Sequence, residues 1–537
     1  MRGRRVIVSA LVLLYAVATA WWVFYFPEDR ALLYRAVPPD AVFVTEHERL
    51  GQRWSSVCTN TFVVWLWEIS GSTRDEALAA ASDPGLAKLL RWLAHMRTVA
   101  CYVPRFGPAG WPAWIIASDS GWRGQAARAV LASGLVRNFR RNTVGIRTWY
   151  TSPASSSGWR TSATLVQGIA VVCFSRDPSA ARYAAERMEQ WSPGFAPLEM
   201  SIRQEVRSSF PDRGWFDRGL IFPDCAGISH AFDLEVESPG WTRIRVKSAL
   251  SRSDNLRALR EMDAAASIGG LFSRDPELLL LVPGRVADVI ASNAPSSSRW
   301  ASVVRIADAA RDHDWPVVAA MFGGELSGRI LGLRVPTVAL GLHLQNPDAG
   351  HDLVGAAFDE LNSKHAMGLV ASRPDSGRPN LTLIGMSSNP LMGALRNEDM
   401  PALVNRGPWL LFFSNAGAAD KVMPRLPGSG RGCGWLDAMN ERDGAVGFAW
   451  VNFENANKAM RDALAVLSLA LKLQAGDGGE RLRSNLDNAR AWIKAAVSLG
   501  ECGAWLVPSD APGGYDLEIR IGRGAARGDR MTMNRRG

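Results

Sequence analysis

The 537-residue chain lacks most of what marks an enzyme or a metal protein. It has no CxxC pair and no cysteine–histidine grouping at zinc spacing, which excludes the common zinc modules. The glycine-rich stretch Gly428-Ser-Gly-Arg-Gly-Cys-Gly434 lacks the Lys-Ser/Thr of a phosphate loop. It also misses GxGxxG, because Cys433 stands where the third glycine belongs, so it reads as a plain loop. Gly227-Ile-Ser-His-Ala231 approaches a nucleophile elbow, but a loop precedes its serine and a strand pattern follows, the reverse of what an elbow needs. Asp312-His313-Asp314 are consecutive, and consecutive side chains do not face one point. His351 and His365 are too far apart for an HExxH-type pair. Arg527-Gly528-Asp529 matches an adhesion tripeptide inside an arginine- and glycine-rich tail, where chance explains it. No catalytic residue, cofactor site or metal ligand is expected.

Net charge is also scarce where it would matter. The total is +9, but residues 1–26 carry three arginines and no acid, and residues 521–537 carry five arginines and Asp529. Residues 27–520 are left with +2, so the totals give no reason to expect a nucleic-acid partner. The apolar content of 47% excludes general disorder, and the length exceeds what one core normally serves, so two domains are expected.

At the N-terminus Arg2, Arg4 and Arg5 precede an uncharged run from Val6 to Phe26. As a helix rising about 1.5 Å per residue it would reach ~30 Å, the hydrocarbon thickness of a bilayer. Trp21, Trp22, Phe24, Tyr25 and Phe26 crowd its far end, as interfacial rings do. The run therefore predicts a transmembrane signal-anchor over 1–26, with lipid as its partner and the arginines cytoplasmic. The alternative is a secretory signal cut after Ala18-Thr19-Ala20. Either reading exports the remainder.

Six cysteines lie beyond this run, and export would permit disulfides. Cys58–Cys101 and Cys433–Cys502 are the preferred pairs among 15 possible full pairings. Cys173 sits in an apolar strand and can equally be a buried thiol, and Cys225 stands in the Pro-Asp-Cys loop. Tryptophan is abundant, at 21 against seven tyrosines. Trp65 with Trp67 and Trp111 with Trp114 could line a groove, but core is the simpler use.

Three sequence tags recur in order. Gly168-Ile-Ala-Val-Val-Cys-Phe-Ser175 matches Gly407-Pro-Trp-Leu-Leu-Phe-Phe-Ser414, Gly214-Trp-Phe-Asp217 matches Gly434-Trp-Leu-Asp437, and Phe232-Asp-Leu-Glu-Val236 matches Tyr515-Asp-Leu-Glu-Ile519. They suggest an internal duplication. Short strand patterns (Ala41–Val44, Trp114–Ala117, Val338–Leu344) precede helical ones (about Glu48–Ile69, Gly124–Val136, Asp352–Leu361), and Phe232–Val246 reads as a hairpin. Met460, Leu464, Leu467 and Leu471, then Leu482, Leu486, Ala489, Ile493 and Val497, predict two antiparallel helices present only in the second half.

The predicted fold is α+β: an N-terminal transmembrane helix, then two tandem related α+β units with largely antiparallel sheets and a helical hairpin inserted in the second. The boundaries are 1–26 for the anchor, 27–250 for the first unit, 251–277 for a connecting helix, 278–523 for the second unit with its insert at about 454–500, and 524–537 for a basic tail.

Val37-Pro-Pro-Asp-Ala-Val-Phe-Val44 and Phe174-Ser-Arg-Asp-Pro-Ser-Ala180 carry a resemblance. With the repeated tags, the chain resembles a group of bacterial single-span envelope proteins built on a duplicated domain of unknown function. The resemblance implies a single-pass protein of the bacterial inner membrane facing the extracytoplasmic side, and no activity or functional residue. The expected function is a non-catalytic scaffold or partner-binding component of the envelope. The alternatives are an envelope hydrolase acting on glycan or peptide, and an apolar-ligand or lipid carrier.

Overall fold

A computed structural model describes residues 11–19, 30–190, 212–217, 229–251, 271–286, 310–344, 352–363, 369–386, 397–423, 434–473 and 494–522, apart from interruptions of a few residues, and the isolated positions 256, 268 and 490. The chain divides into two compact units, residues 1–247 and 248–537.

The first unit is built on ten strands: β1 (Phe43–Glu48), β2 (Arg97–Phe106), β3 (Trp111–Asp119), β4 (Arg140–Val144), β5 (Arg147–Thr151), β6 (Arg160–Val166), β7 (Ile169–Ser175), β8 (Asp212–Asp217), β9 (Ser229–Val236) and β10 (Trp241–Ser251). Every pairing is antiparallel, in the order β4-β5-β6-β7-β3-β2-β1-β8-β9-β10. Alternating side chains bury both faces. Helices α1 (Arg30–Arg35) and α7 (Ala180–Glu189) cover one, over Val44, Val99, Cys101, Ile115, Val171 and Cys173. Between them in the chain come α2 (Leu50–Thr59), α3 (Thr61–Ile69), α4 (Arg74–Ser82), α5 (Pro84–Leu93) and α6 (Trp122–Ala132). The other face takes α3, whose Trp67 stacks on Trp114 of β3 at 5.8 Å.

The sequence pattern reads α2 and α3 as one helix. The structure breaks it at buried Asn60, whose extended backbone ends α2. Its Oδ1 accepts from the Phe62 amide (2.9 Å) and the Thr242 hydroxyl (2.7 Å), so the break is pinned to β10. At Gly51 of α2 a Cβ would collide with the Leu90 carbonyl of α5, so only glycine permits this approach.

The second unit carries β11 (Leu278–Val282), β12 (Val317–Phe322), β13 (Gly328–Ile330), β14 (Leu333–Val335), β15 (Thr337–His343), β16 (Leu369–Asp375), β17 (Arg378–Met386), β18 (Ala402–Arg406), β19 (Trp409–Phe413), β20 (Gly447–Asn452), β21 (Glu501–Pro508) and β22 (Gly514–Gly522). Apart from the small β13–β14 hairpin, the order is β16-β17-β18-β19-β15-β12-β11-β20-β21-β22, again antiparallel throughout. Strand for strand this repeats the order of the first unit. Helices α8 (Ala416–Val422) and α9 (Gly434–Met439) supply Ala416, Ala419, Val422, Trp435 and Ala438 to its largest core.

The repeat corrects the tags. The first lies on equivalent strands, β7 and β19, but slipped by one residue. The two-residue turns Gln167-Gly168 and Gly407-Pro408 are the true equivalents, so Phe413 corresponds to Cys173, and both point into the core. The second tag pairs strand β8 with helix α9, and the third pairs β9 with β22, whereas the counterpart of β9 is β21. Two of the three matches are therefore coincidence.

The predicted fold class is overturned. The described chain is dominated by antiparallel sheet, and none of its described helices is long and apolar enough to cross a membrane. Within the N-terminal run only residues 11–19 are described, and they are helical and exposed. The longest labelled helix, α10 (Phe453–Leu473), has 21 residues but carries Glu454, Lys458, Arg461, Asp462 and Lys472. It is the first arm of the predicted insert; most of the second arm lies outside the described residues, as does most of the predicted connecting helix.

Candidate functional site

Strand β1 runs between β2 and β8, and its last residues turn polar while still buried. The apolar pattern predicts a strand ending at Val44, but the structure continues it through Thr45, Glu46, His47 and Glu48. Opposite Glu46 and His47 on β8 stand Arg213 and Asp212, in register and of complementary charge. Because neighbouring strand residues face opposite ways, the two pairs lie on opposite faces of the sheet.

On the face covered by α1 and α7, the Glu46 carboxylate takes Arg97 Nη1 at 2.6 Å and Arg213 Nε at 2.7 Å. Burial alone would raise its pKa; the two guanidiniums and the Tyr34 hydroxyl outweigh it and hold the group below the usual carboxylate range. Burial, then Glu46, pushes the Tyr34 hydroxyl well up. On the same face buried Asp233 of β9 meets Lys247 at 3.1 Å.

On the other face His47 Nε2 lies 2.8 Å from Thr45 Oγ1, and its Nδ1 lies 3.1 Å from Asp212 Oδ1. Arg53 of α2 grips the same carboxylate with Nη2 at 2.5 Å and Nη1 at 2.9 Å, and donates to the Glu48 carbonyl at 3.0 Å. Burial raises the Asp212 pKa, but His47 and Arg53 more than offset it, and the net direction is down. Beside this cluster is an apolar cavity of about 70 Å³, lined by Phe43, His47, Trp54, Cys58, Trp67 and Trp114.

Hydroxyl, imidazole and carboxylate in line are the geometry of a nucleophilic relay. Two features speak against that chemistry. The Ala100 carbonyl lies 3.4 Å from the Thr45 hydroxyl and competes with the imidazole for its proton. Strand β1 is laddered on both sides, so its own backbone amides are committed and cannot serve as oxyanion donors. A cavity of this size is also about half the ~150 Å³ that accommodates benzene. The cluster is an ionic clamp that ties β1, β8 and α2 together.

The second unit has no such clamp at the equivalent places. Following the ladders outward from the matched turns sets Glu46 against Leu281, His47 against Val282, Asp212 against Gly447 and Arg213 against Phe448. Asp233 falls against Trp505, and Lys247 against Arg520, which lies over the Trp505 ring at 6.0 Å. At these positions the first unit is ionic and the second largely apolar or aromatic; the second unit places its own buried ion pair elsewhere, on β22, where Glu518 meets Arg442 at 2.8 Å.

Both depressed carboxylates store stability that acid removes. A carboxylate whose folded pKa lies below its unfolded value stabilises fully above the unfolded value, ~4 for these residue types, and loses its contribution as pH falls through the folded value. Amide protection in β1 and β8 is therefore expected to fall away as the pH drops below about 4. The apolar pair β11 and β20 should lose less. Pulsed hydrogen exchange after incubation at each pH reads both strand pairs, and equal losses would contradict the assignment.

Cys58 and Cys101 are both free, buried thiols. Cys58 borders the aromatic cavity, whereas Cys101 points into the core of the opposite face, so a disulfide would have to pass through the sheet. Cys173 is free in that same core, and Cys502 is free on β21. Cys225 and Cys433 lie outside the described residues, so the Cys433–Cys502 pair stands half inside. Ser229 and His230 of the elbow-like motif sit within β9, with no helix following. His313, Asp314, His351, His365, Gly428–Cys433 and the Arg527–Asp529 tripeptide are outside the described residues. Among the described residues no group of three or more potential ligands could hold a metal ion. Neither a family model, nor a curated protein, nor a solved structure matches the chain.

Proposed function

We propose that this is a non-catalytic scaffold or partner-binding protein of the bacterial cell envelope. The supporting observation is the pair of ten-strand sheets with one strand order but different side chains at the equivalents of Glu46, His47, Asp212 and Arg213. Duplicated frames that diverge in chemistry suit two different surfaces better than one shared reaction. The envelope setting rests on the resemblance, whose Pro-Pro-Asp-Ala opening, Pro38 to Ala41, leads directly into β1. The geometry at Thr45 favours this reading over a hydrolase.

The test is gentle detergent extraction of the full-length chain from its native cells, with chemical cross-linking before lysis. The expected result is one or more proteins recovered in constant ratio to the chain. Recovery of uncross-linked monomer alone would reject the scaffold. An apolar-ligand carrier is the second reading, favoured by a groove of about 160 Å³ between α5, α6, α7 and the sheet of the first unit. Extraction of a defined lipid with the purified protein would favour it instead.

A further inference from the structure

Residues 120–176 contain eight arginines and not one aspartate, glutamate or lysine. Residues 27–520 as a whole carry only +2, so the rest of the folded chain is acidic and this segment is a concentrated exception. It spans α6 and β4 to β7.

The β4–β5 hairpin turns through Gly145 and Ile146, with Gly145 at φ 61°, as a tight two-residue turn with glycine first requires. Such a tip is normally polar. Here Ile146 is 97% exposed and Val144 54% exposed. Arg140 and Arg141, both exposed, stand behind them on β4, and neither has an ion pair among the described residues. Exposed Arg128 and half-buried Leu131 of α6 line the same 160 Å³ groove as Ile146. The nearby acids are engaged: Glu186 and Glu189 of α7 hold Arg147 at 2.9 and 2.8 Å, and Glu186 also lies 3.6 Å from Arg182.

We propose that this hairpin tip and the adjoining end of α6 dock on an anionic lipid bilayer. Val144 and Ile146 enter the boundary between headgroups and acyl chains, and Arg128, Arg140 and Arg141 meet the lipid anions. Apolar side chains projecting beyond a collar of cations are what an interface with both properties selects. A nucleic acid would meet the cations but gain nothing from an exposed isoleucine. A second copy added along the edge of β4 would set arginine against arginine. This contact is peripheral and involves no membrane-crossing helix.

The test uses the full chain in flotation with phosphatidylcholine vesicles and with vesicles of phosphatidylcholine and phosphatidylserine. Binding should prefer the anionic vesicles and weaken with added salt. V144S/I146S should lower anionic-vesicle binding by about tenfold or more. R140Q/R141Q should lower it by about thirtyfold, from two lost surface cations. R274Q/R334Q, two arginines of the second unit, removes the same charge and should change binding by less than about threefold. Equal binding to both vesicle types, or an equal loss in the R274Q/R334Q control, overturns the proposal. So does oligonucleotide binding that needs Arg140 and Arg141 while V144S/I146S leaves vesicle binding intact. Circular dichroism melts of each variant confirm that these exposed sites leave the fold in place.

Discussion

Replacing Glu46 by alanine is expected to destabilise the first unit by about 3 kcal/mol. The residue is 4% exposed and serves two guanidiniums, so its loss leaves Arg97 and Arg213 facing each other with no anion between them. Removing one member of a buried ionic group typically costs ~3–5 kcal/mol, and partial solvent access of the arginines places this case at the lower end. The second unit suggests its own rescue. Installing the apolar equivalents, E46L with R213F, and removing the remaining cation with R97L, should recover most of the loss, because a buried ionic group and a well-packed apolar one of similar volume are close in free energy. Urea unfolding followed by hydrogen exchange in β1, β2 and β8 measures both variants. If the triple variant is no more stable than E46A, the clamp is irreplaceable for stability, and the equivalence drawn between the units fails.

Truncating Trp505 to alanine is expected to cost the second unit about 3–5 kcal/mol. Its ring is 1% exposed, lies 5.8 Å from Phe448, and donates from Nε1 to the Ala438 carbonyl at 3.1 Å, tying β21 to α9. Alanine removes the volume and orphans that carbonyl. W505F separates the two effects: it keeps most of the ring volume and should lose only about 1–2 kcal/mol for the hydrogen bond and residual gap. Hydrogen exchange in β20 to β22 is the readout. A W505A loss below that of W505F would mean the indole packs less tightly than its burial indicates.

These expectations rest on a comparison that only the folded chain makes possible. Apolar runs such as Ile169–Phe174 and Val338–Leu344 mark strands in the sequence because a buried strand must be apolar on its inward side, and both appear as β7 and β15. The hairpin read at Phe232–Val246 stands as β9 and β10. Charge placement was legible too: eight arginines without an acid is a count, and only averaging over the whole body concealed it.

Register was not legible. Gly168 and Gly407 look equivalent in sequence, yet their turns place the glycine differently, and a one-residue slip exchanges the two faces of a strand. The clamp was invisible for a related reason. Thr45, Glu46 and His47 read as the polar end of a strand, and their partners at Asp212 and Arg213 are some 165 residues away. Only pairing β1 with β8 makes them complementary, since local sequence carries no term for a contact that chain closure brings together. The N-terminal run shows the same limit from the other side. Its hydropathy suits a bilayer on composition alone, while no described helix of the fold is long and apolar enough to cross one. By itself, the sequence determined where apolar side chains and arginines concentrate, because composition is a local property. The tertiary structure alone decided which strands pair, in which register, and therefore where in each unit charged side chains meet inside the sheet.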